Sequence, residues 1–341
     1  MFLVYNLVIS IYMSDITTLI TEISQRQTFA LFGHQNPDGD AIWSILAMRH
    51  ILISQGKQVS CYVPDKPSKR FDFLSDIDTI QTDFDYSHYD CLMFLDFSGY
   101  DRIIAFTDWH ETYFDQMYKV VIDHHINPNP PGHINIIDTS ASSNCERMYE
   151  NLHPYYQIDP QTATYLYLGL TTDTGNFSYE QDSHRTFSNA LKLIEAWADK
   201  AHIINNLWRS NTYGQIHFLS LLIDRLTQAW WVARSRYSEQ DLESYHIDQE
   251  EANFGLGILQ SIADISITIL FKYRSDYLQV SLRSKNIDKQ IAPDVSQIAR
   301  HFGGGWHRQA SWFRIPWIQD QTKQMNDIIA YIQTHLNHLS S

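Results

Sequence analysis

The sequence predicts an α/β protein with a doubly wound parallel-sheet N-terminal domain and a smaller mixed α/β C-terminal domain, joined by a helical linker. In the first half of the chain, apolar runs typical of buried strands alternate with stretches of helical periodicity. After residue 228 the pattern changes to three strands followed by a helix. The length of 341 residues leaves room for two domains that each bury a core.

The elements of the first domain alternate along the chain. We place this domain at residues 14–205, the linker at 206–228 and the second domain at 229–338. The run at 162–170 leads into Asp173, and residues 184–231 are mostly helical in pattern. Strands are predicted at 28–32, 58–63, 89–95, 119–122, 229–236, 265–273 and 277–283, and helices at 41–53, 142–152 and 295–302.

Composition narrows the class of protein. The formal charge of −14 argues against a protein that grips long duplexes through a broad basic surface. The three cysteines form no CxxC element, so a disulfide framework and a structural zinc are not expected, and a reducing cytosol fits best. The apolar segment 1–12 is too short to span a bilayer and lacks the features of a signal peptide. We interpret it as an extension, with Met13 as the expected start.

Four acidic and histidine-containing signatures follow apolar, strand-like runs. Parallel strands deliver such residues to one edge of a sheet, so we expect a shared site. The set offers enough carboxylate oxygens and imidazole nitrogens for two adjacent divalent cations, and it suits magnesium or manganese better than a cysteine-rich zinc site. This chemistry indicates hydrolysis of phosphate esters. The signatures are His34–Asp40 (HQNPDGD), Asp96, Asp123-His124-His125, and Asp173 within TDTG.

Each signature also has an ordinary structural interpretation. The sequence NPDGD is good turn chemistry, and an aspartate before Ala41 makes a good helix N-cap. A lone Asp96 or Asp173 after an apolar run is commonly a turn or cap residue. The consecutive Asp123, His124 and His125 are more demanding, because buried ionisable groups are costly unless they bind a ligand or one another. All four signatures falling in order on one α/β domain favours the metal site.

The motif set HxNPDGD, Asp, DHH and DTG, followed by a C-terminal GGG-x-H segment, resembles the DHH phosphoesterases of the stand-alone NrnA type. The resemblance extends from about Ile16 to His335 and implies two divalent ions, usually manganese, with magnesium possible. It implies that His125 contacts the scissile phosphate and that Asp123 orients His124. A water or hydroxide shared by the ions would be the nucleophile. The implied ligands are His34 and Asp38 for one ion, Asp40, His124 and Asp173 for the other, and Asp96 between them.

The same resemblance covers two segments of the second domain. The segment from Gly303 to Ser311 is similar to the family's GGGGHxxAAG, whose glycines let backbone N–H groups approach an anion. Ser281-Leu282-Arg283-Ser284 resembles the SxRS strand that supplies an arginine to a phosphate. A GGG run by itself is also typical of a flexible turn. The implied substrate-binding residues are Arg283, Ser284, Gly303, Gly304, Gly305 and His307.

Two tryptophans depart from the family pattern. Trp306 stands where a fourth glycine is usual, and Trp312 stands where the motif normally closes with glycine. A bulky indole either obstructs the backbone cradle or stacks on a nucleobase. The departure bears on substrate choice and leaves the metal ligands unchanged.

The resemblance implies a cytoplasmic manganese-dependent phosphodiesterase that degrades short oligoribonucleotides or linear dinucleotides to mononucleotides, with 3′-phosphoadenosine 5′-phosphate as a further substrate. Its partners would be short RNA or small nucleotides, with no long duplex and no membrane, and a homodimer is compatible with the family. Two alternatives stay open. One is a nucleotide-binding regulator with little turnover, and the other is a manganese inorganic pyrophosphatase.

Overall fold

The computed structural model describes residues 15–108, 110–178, 184–249, 251–287, 291–306, 308–317 and 321–339. The segment 1–12, Met13 and His307 lie outside these residues. The chain divides into two compact units, the first ending at Arg209 and the second beginning at Ser210. Within the described ranges, no helix combines the length and the apolar character needed to cross a membrane.

The first unit is built on a six-stranded sheet in which every pairing is parallel. The strand order is β3-β2-β1-β4-β5-β6, so the chain builds outward from β1 in one direction and then returns to build from β4 in the other. The order reverses between β1 and β4, which is where ligands bind in open α/β sheets. The strands are β1 Thr28–Phe32, β2 Gln58–Tyr62, β3 Ile80–Gln81, β4 Cys91–Leu95, β5 Lys119–Asp123 and β6 Ile134–Ile137.

Helices accompany the sheet and bury most of its apolar surface. Asp38 caps the N-terminus of α2 by accepting a hydrogen bond from the Ala41 N–H. This helix is apolar on nearly all sides, as expected of a helix packed between other elements, and its Trp43 ring stacks on Tyr165 of α6 at 6.0 Å. The helices are α1 at residues 15–25, α2 Gly39–Ser54, α3 Ile104–Thr107, α4 Glu111–Gln116, α5 Asn144–Leu152, α6 Pro160–Asp173, α7 His184–Glu195 and α8 Lys200–Ile203, with a π-helix at Ile204–Trp208.

The structure corrects the prediction for the run before Asp173. That run is not strand-like, because Asp173 is the last residue of helix α6. Asp159 caps this helix through a hydrogen bond from the Thr162 N–H (2.8 Å), and Pro160 occupies its first turn. The helix is buried on almost every side, so its sequence lacks the one-sided apolar period that distinguishes helix from strand.

The second unit contains a mixed six-stranded sheet in the order β11-β12-β10-β9-β8-β7. Strands β8 and β9 pair in parallel, and the other neighbours are antiparallel. The predicted fold class of both domains is confirmed. The elements are α9 Tyr213–Asp224, β7 Thr227–Ala229, β8 Val232–Ser238, α10 Glu239–Tyr245, α11 Asn253–Gln260, β9 Ile267–Tyr273, β10 Tyr277–Ser284, α12 Val295–His301, β11 Gly305–Trp306, β12 Ala310–Pro316 and α13 Gln321–Leu339.

Two details of the second unit differ from the predicted elements. Residues 227–229 form strand β7 inside a stretch predicted to be helical, and the predicted strand at 229–236 begins later, at Val232. Trp230 adopts a positive φ of 57°, which makes the turn between β7 and β8. Helix α9 falls within the predicted linker and belongs to the second unit. The predicted domain boundaries stay a prediction.

Replacing Gly169 with alanine will destabilise the first unit. A Cβ at this position of α6 would overlap Sγ of Cys145 and lie 2.7 Å from Oδ1 of Asp40. Overpacking of this kind costs about 1–3 kcal/mol, which outweighs the gain of about 1 kcal/mol in helix propensity. Gly257→Ala is the matched control, because a Cβ at this glycine of α11 meets nothing within 4 Å. Urea unfolding should show a loss for Gly169→Ala and no loss for Gly257→Ala, and an unchanged midpoint for Gly169→Ala would contradict the packing.

Candidate metal centre

The signature residues of the first unit converge at the carboxyl edge of its parallel sheet. His34 follows β1, Asp96 follows β4, and Asp123 ends β5. The two remaining groups come from helices: Asp38 and Asp40 lie at the N-terminus of α2, and Asp173 ends α6. The structure therefore brings together side chains from three adjacent strands and two helices at the point where the strand order reverses.

Two histidines are oriented with the same nitrogen toward the carboxylates. Nδ1 of His34 lies 2.8 Å from the Gln35 carbonyl, and Nδ1 of His124 lies 3.3 Å from the Ala141 carbonyl. A carbonyl only accepts, so each Nδ1–H donates and each Nε2 faces the site. Metal-bound histidines in proteins are commonly fixed in this way by a backbone carbonyl.

The first group of ligand atoms contains His34, Asp38 and Asp96. Nε2 of His34 lies 3.8 Å from Oδ1 of Asp38 and 3.6 Å from Oδ2 of Asp96. One ligand atom from each residue lies within 4.8 Å of the others. The trio joins one imidazole nitrogen to two carboxylate oxygens, which is a donor set suited to a divalent cation.

The second group contains Asp40, His124 and Asp173, and it meets the same distance limit. Nε2 of His124 lies 3.9 Å from Oδ2 of Asp40, 3.5 Å from Oδ2 of Asp173 and 3.4 Å from Oδ1 of Asp96. Asp96 thus directs one oxygen toward His34 and the other toward His124. A carboxylate in this position is placed to join two ligand groups.

Burial and like charge together make the site electrostatically demanding. Burial, aided by the negative charge of Asp96, raises the pKa of Asp40 well above its usual range. Burial likewise raises the pKa of Asp173 to about 7. Burial also opposes the charged form of Asp96, but the neighbouring His124, His125 and His34 outweigh it and hold the pKa of Asp96 well below its usual range.

The carboxylates raise the pKa values of the two histidines. Burial alone would lower the pKa of His34, but Asp38 and Asp96 outweigh it and raise the pKa to about 9. The pKa of His124 is raised to about 10, because Asp96 and Asp173 outweigh the effect of burial. Protons therefore supply the positive charge that the clustered carboxylates require, and a bound cation would supply the same charge in their place. The donor set and this demand for positive charge both fit divalent metal ions.

Backbone N–H groups fix the position of Asp40. Its two carboxylate oxygens accept hydrogen bonds from the N–H of Asn144 and the N–H of Cys145 (3.0 Å), in the first turn of α5. Ser143 caps this helix by accepting from the Glu146 N–H (2.9 Å). The positive end of the helix therefore stabilises the Asp40 carboxylate. The sequence predicted a helix over 142–152 but did not indicate that its N-terminus supports Asp40.

Asp123 organises the turn that carries the two histidines. Its Oδ1 accepts hydrogen bonds from the N–H groups of His124 (2.8 Å) and His125 (3.0 Å) and faces Nδ1 of His125 at 3.0 Å. Its Oδ2 accepts from the N–H groups of Phe97 (3.2 Å) and Ser98 (2.7 Å). This fully buried carboxylate thus fixes the loops after β4 and β5 together. The loop after β4 includes Asp96 in a left-handed conformation, with φ of 52°.

Arg102 lies beside the site and was not found from the sequence. Its side chain is buried, and its Nη2 donates to the Gln35 carbonyl at 3.3 Å. Burial lowers the pKa of Arg102, while the negative charges of Asp38 and Asp96 oppose that shift. The residue lies in a short 3₁₀ helix, Tyr100–Ile103, whose sequence has no motif that marks an arginine next to carboxylates.

The second unit contains the predicted substrate-binding residues that the structure describes. Arg283 and Ser284 lie at the end of β10, and the Ser284 hydroxyl donates to the Pro293 carbonyl (2.7 Å). Gly303 has φ of +78° and donates its N–H to the Arg300 carbonyl, while Gly304 donates to the Ala299 carbonyl. These two glycines therefore terminate helix α12.

Gly304 and Gly305 also let two backbone segments approach closely. A Cβ on Gly304 would overlap the carbonyl oxygen of Trp312, and Gly305 pairs with Trp312 in the sheet. The glycine run has a structural role in this unit, and a role in anion binding stays a prediction. His307 lies outside the described residues, so its predicted role is not described either.

Residues 28–170 match the DHH family, N-terminal domain. With the fold and the ligand groups above, this match defines the class of protein: residues 28–170 form an N-terminal domain of the DHH family, and the chain is a hydrolase.

Among individual proteins, the chain is similar to the bifunctional oligoribonuclease and PAP phosphatase NrnA. The Bacillus subtilis protein is 26% identical over 305 residues, which cover 86% of this chain and 91% of the relative. The Mycoplasma genitalium protein of the same name is 25% identical over 323 residues, covering 93% and 96%.

Solved structures show the same fold. An exopolyphosphatase-related protein from Bacteroides fragilis superposes with a TM-score of 0.84 at 20% identity, covering 96% of this chain and 98% of that one. RecJ from Thermus thermophilus, solved in complex with Mn²⁺, gives a TM-score of 0.51 at 10% identity and covers 96% of this chain and 55% of that one. The two-unit architecture is therefore shared with proteins of low sequence identity.

Replacing Asp123 with asparagine will destabilise the first unit. The amide would keep one acceptor oxygen and would turn an –NH₂ group toward N–H donors that now meet a carboxylate oxygen. Leaving such donors unsatisfied in a buried site costs about 2–5 kcal/mol. Asp85→Asn is the control, because among the described residues the exposed Asp85 carboxylate accepts just a local hydrogen bond from the Ser87 N–H. Urea unfolding of the metal-free protein tests this, and equal stability of the two variants would show that the network is unimportant.

Proposed function

We propose that this protein is a two-metal-dependent phosphodiesterase that hydrolyses short oligoribonucleotides or linear dinucleotides to mononucleotides. We propose further that it removes a phosphate from 3′-phosphoadenosine 5′-phosphate. The observation that carries the proposal is the pair of ligand groups that meet at the buried Asp96. Both activities occur in the names of the NrnA relatives, which match this chain over most of its length.

In this proposal the two ligand groups would hold two divalent ions, manganese or, as the alternative, magnesium. His34 and Asp38 would hold one ion, Asp40, His124 and Asp173 would hold the other, and Asp96 would be shared. When bound, such ions activate water and stabilise negative charge on phosphoryl oxygens. The supporting observation is that each group combines imidazole and carboxylate donors within 4.8 Å.

In this proposal the charged imidazole of His125 is the group that donates a hydrogen bond to the substrate phosphate. Burial opposes its charged form, but Asp123 and Asp96 outweigh that effect and raise the pKa of His125 well above its usual range. Its Nδ1 lies 3.0 Å from Asp123 and 3.2 Å from Asp96, so the imidazolium is held in place at the site. We assign this imidazolium to a phosphoryl oxygen of the substrate. Asp123 acts indirectly, by fixing the two histidines.

Net charge and the relatives both support the proposed substrate class. A chain of net charge −14 repels long polyanions, whereas small nucleotides are held by a few local contacts. The cytoplasmic location, the homodimer and the substrate-binding roles of Arg283, Ser284 and the glycine run stay predictions.

Incubation with Mn²⁺ and a panel of substrates tests the proposed function. The panel contains di- to pentaribonucleotides, linear and cyclic dinucleotides, 3′-phosphoadenosine 5′-phosphate and pyrophosphate, with products resolved by chromatography. We expect mononucleotides to form fastest from the shortest RNAs, together with AMP from the bisphosphate. Phosphate from pyrophosphate alone would indicate a pyrophosphatase, and tight binding without products would indicate a nucleotide-binding regulator.

The variant that tests the metal assignment on this panel is Asp96→Asn. It removes the negative charge that lies between the two ligand groups and conserves the size of the side chain. We expect turnover to fall at least about 1,000-fold, in line with the loss of several kcal/mol of stabilisation by a bound metal. Asp83→Asn, at an exposed position, should retain full activity. Full activity of Asp96→Asn with an unchanged circular dichroism spectrum would overturn the metal assignment.

Metal binding is expected to strengthen as the pH rises from 6 to 8. In the metal-free protein the neighbouring carboxylates raise the pKa values of His34 and His124 to about 9 and 10. Both imidazoles are therefore in the charged form, with a proton on each nitrogen, throughout this range. A metal ion must displace these protons, and the displacement becomes easier as the proton concentration falls. Calorimetric titration with Mn²⁺ in buffers of different protonation enthalpy should detect proton release at pH 7. Binding that releases no protons and does not depend on pH would contradict this account.

A further inference from the structure

A fully buried carboxylate, that of Glu146, lies in the first turn of α5 and belongs to neither of the two ligand groups. Its Oε2 accepts hydrogen bonds from the Ser142 N–H (2.8 Å) and from the Ser142 hydroxyl (3.0 Å). Its Oε1 accepts from the side-chain amide of Asn189 in α7 (3.1 Å). Because all three groups are donors, this carboxylate holds the loop before α5 against the helix and joins it to α7.

The peptide group between Ala141 and Ser142 connects Glu146 to His124. The N–H of this peptide donates to Glu146, and its C=O accepts from Nδ1 of His124 at 3.3 Å. A peptide group is planar, so fixing the direction of its N–H also fixes the direction of its C=O. Glu146 therefore helps to orient the imidazole of His124 toward the carboxylates of the site.

The first turn of α5 connects Glu146 to Asp40. The N–H groups of Asn144 and Cys145 donate to the Asp40 carboxylate, and the Glu146 N–H donates to the Ser143 hydroxyl that caps the helix (2.9 Å). The side chain of Glu146 holds the residue that precedes this cap. Movement of this turn would displace the donors that fix Asp40.

A neighbouring carboxylate of α5 belongs to the same polar network but points to different partners. Glu150 accepts from Nε of Arg185 (2.8 Å) and from the side-chain amide of Asn189 (2.8 Å), both in α7. Arg185 also donates to Asp138 (2.8 Å). These contacts fasten α7 to α5, whereas the contacts of Glu146 reach the loop that supports two ligand residues.

We propose that Glu146 is a positioning residue for the ligand group of Asp40, His124 and Asp173, and that it sets the affinity of this group for a divalent cation. The inference rests on the proposed function, in which this group holds one of two ions. Glu146 acts on His124 through the 141–142 peptide and on Asp40 through the first turn of α5. Removing a partner that orients metal ligands in this way weakens metal binding about 10- to 100-fold.

The other ligand group is oriented by contacts of a different kind. His34 donates to the carbonyl of Gln35, the residue that follows it, and Asp38 accepts from the Ala41 N–H at the start of α2. Neither contact involves α5 or the loop before it. Loss of the Glu146 carboxylate should therefore weaken the binding of one ion and spare the other.

Manganese binding in two single-site backgrounds tests the inference without turnover. In the full-length protein, His34→Ala removes the imidazole of one ligand group and His124→Ala removes that of the other. Free Mn²⁺ is followed by electron paramagnetic resonance during titration, and circular dichroism checks the fold. Adding Glu146→Gln to His34→Ala should weaken binding at least about tenfold. Adding it to His124→Ala should change the affinity less than about twofold.

The same titration without a histidine substitution gives a second measurement. Here Glu146→Gln should lower one of the two Mn²⁺ affinities and leave the other. The substitution conserves the size of the side chain but keeps a single acceptor oxygen, so the amide cannot accept from both Ser142 and Asn189.

Glu150→Gln is the matched control, because it makes the same chemical change one turn further along α5. It weakens the contacts to Arg185 and Asn189 and should lower the stability measured by urea unfolding. We expect it to keep the Mn²⁺ affinity of the His34→Ala background. A loss of stability alone would then not explain the effect of Glu146→Gln.

Equal losses of Mn²⁺ affinity in Glu146→Gln and Glu150→Gln would show a merely structural role and overturn the inference, as would an unchanged affinity in Glu146→Gln. Turnover of diadenylate with Mn²⁺ is measured separately on the wild type. Hydrolysis together with Mn²⁺ binding that ignores Glu146 would reject the positioning role and leave the phosphodiesterase intact. Mn²⁺ binding that depends on Glu146 without hydrolysis would reject the phosphodiesterase and retain the positioning role.

Discussion

The structure of the first unit depends on the neutralisation of aspartates that are buried at one edge of a parallel sheet. Asp40, Asp96 and Asp123 are each at most 1% exposed. Their charges are met by different means: a helix N-terminus at Asp40, imidazoles around Asp96 and backbone N–H groups at Asp123. A carboxylate buried without such partners would cost several kcal/mol. The loops and helix ends around the site are arranged to provide them.

Close packing of two helices brings the remaining carboxylates into range. Gly39 of α2 and Gly169 of α6 have no room for a Cβ, since one would meet Thr172 and the other would meet Cys145 and Asp40. Because α2 and α6 approach so closely, Asp40 at the start of one helix and Asp173 at the end of the other both reach His124. The positive φ of Asp96 turns the chain directly after β4, which keeps its carboxylate at the sheet edge. Helix packing thus contributes as much to the ligand geometry as the strands do.

The sequence allowed the sheet of the first unit to be predicted, and with it the side chains that lie together at its edge, because buried parallel strands are continuous apolar runs that end abruptly in polar residues. Strand β1 was predicted without error, and β5 to within one residue. Asp173 was assigned to the correct cluster but to the wrong kind of element, because a helix buried on all sides resembles a buried strand in pattern. Arg102 and the N–H groups of Asn144 and Cys145 could not be predicted, since backbone donors leave no mark in the sequence and a single arginine has no period.

The two units carry opposite local excesses of charge. The carboxylates of the first unit would attract cations, and under the proposed function a phosphate would bind to those cations rather than to the protein surface. The second unit gathers Lys272, Arg274 and Arg314 on one sheet face. Over distances beyond about 10 Å these local charges are screened at ordinary ionic strength, and the overall charge of −14 discourages an extended polyanion. Under the proposed function, a short nucleotide would experience the local charges but present few phosphates to the surrounding acidic surface, so electrostatics would favour short substrates over long ones.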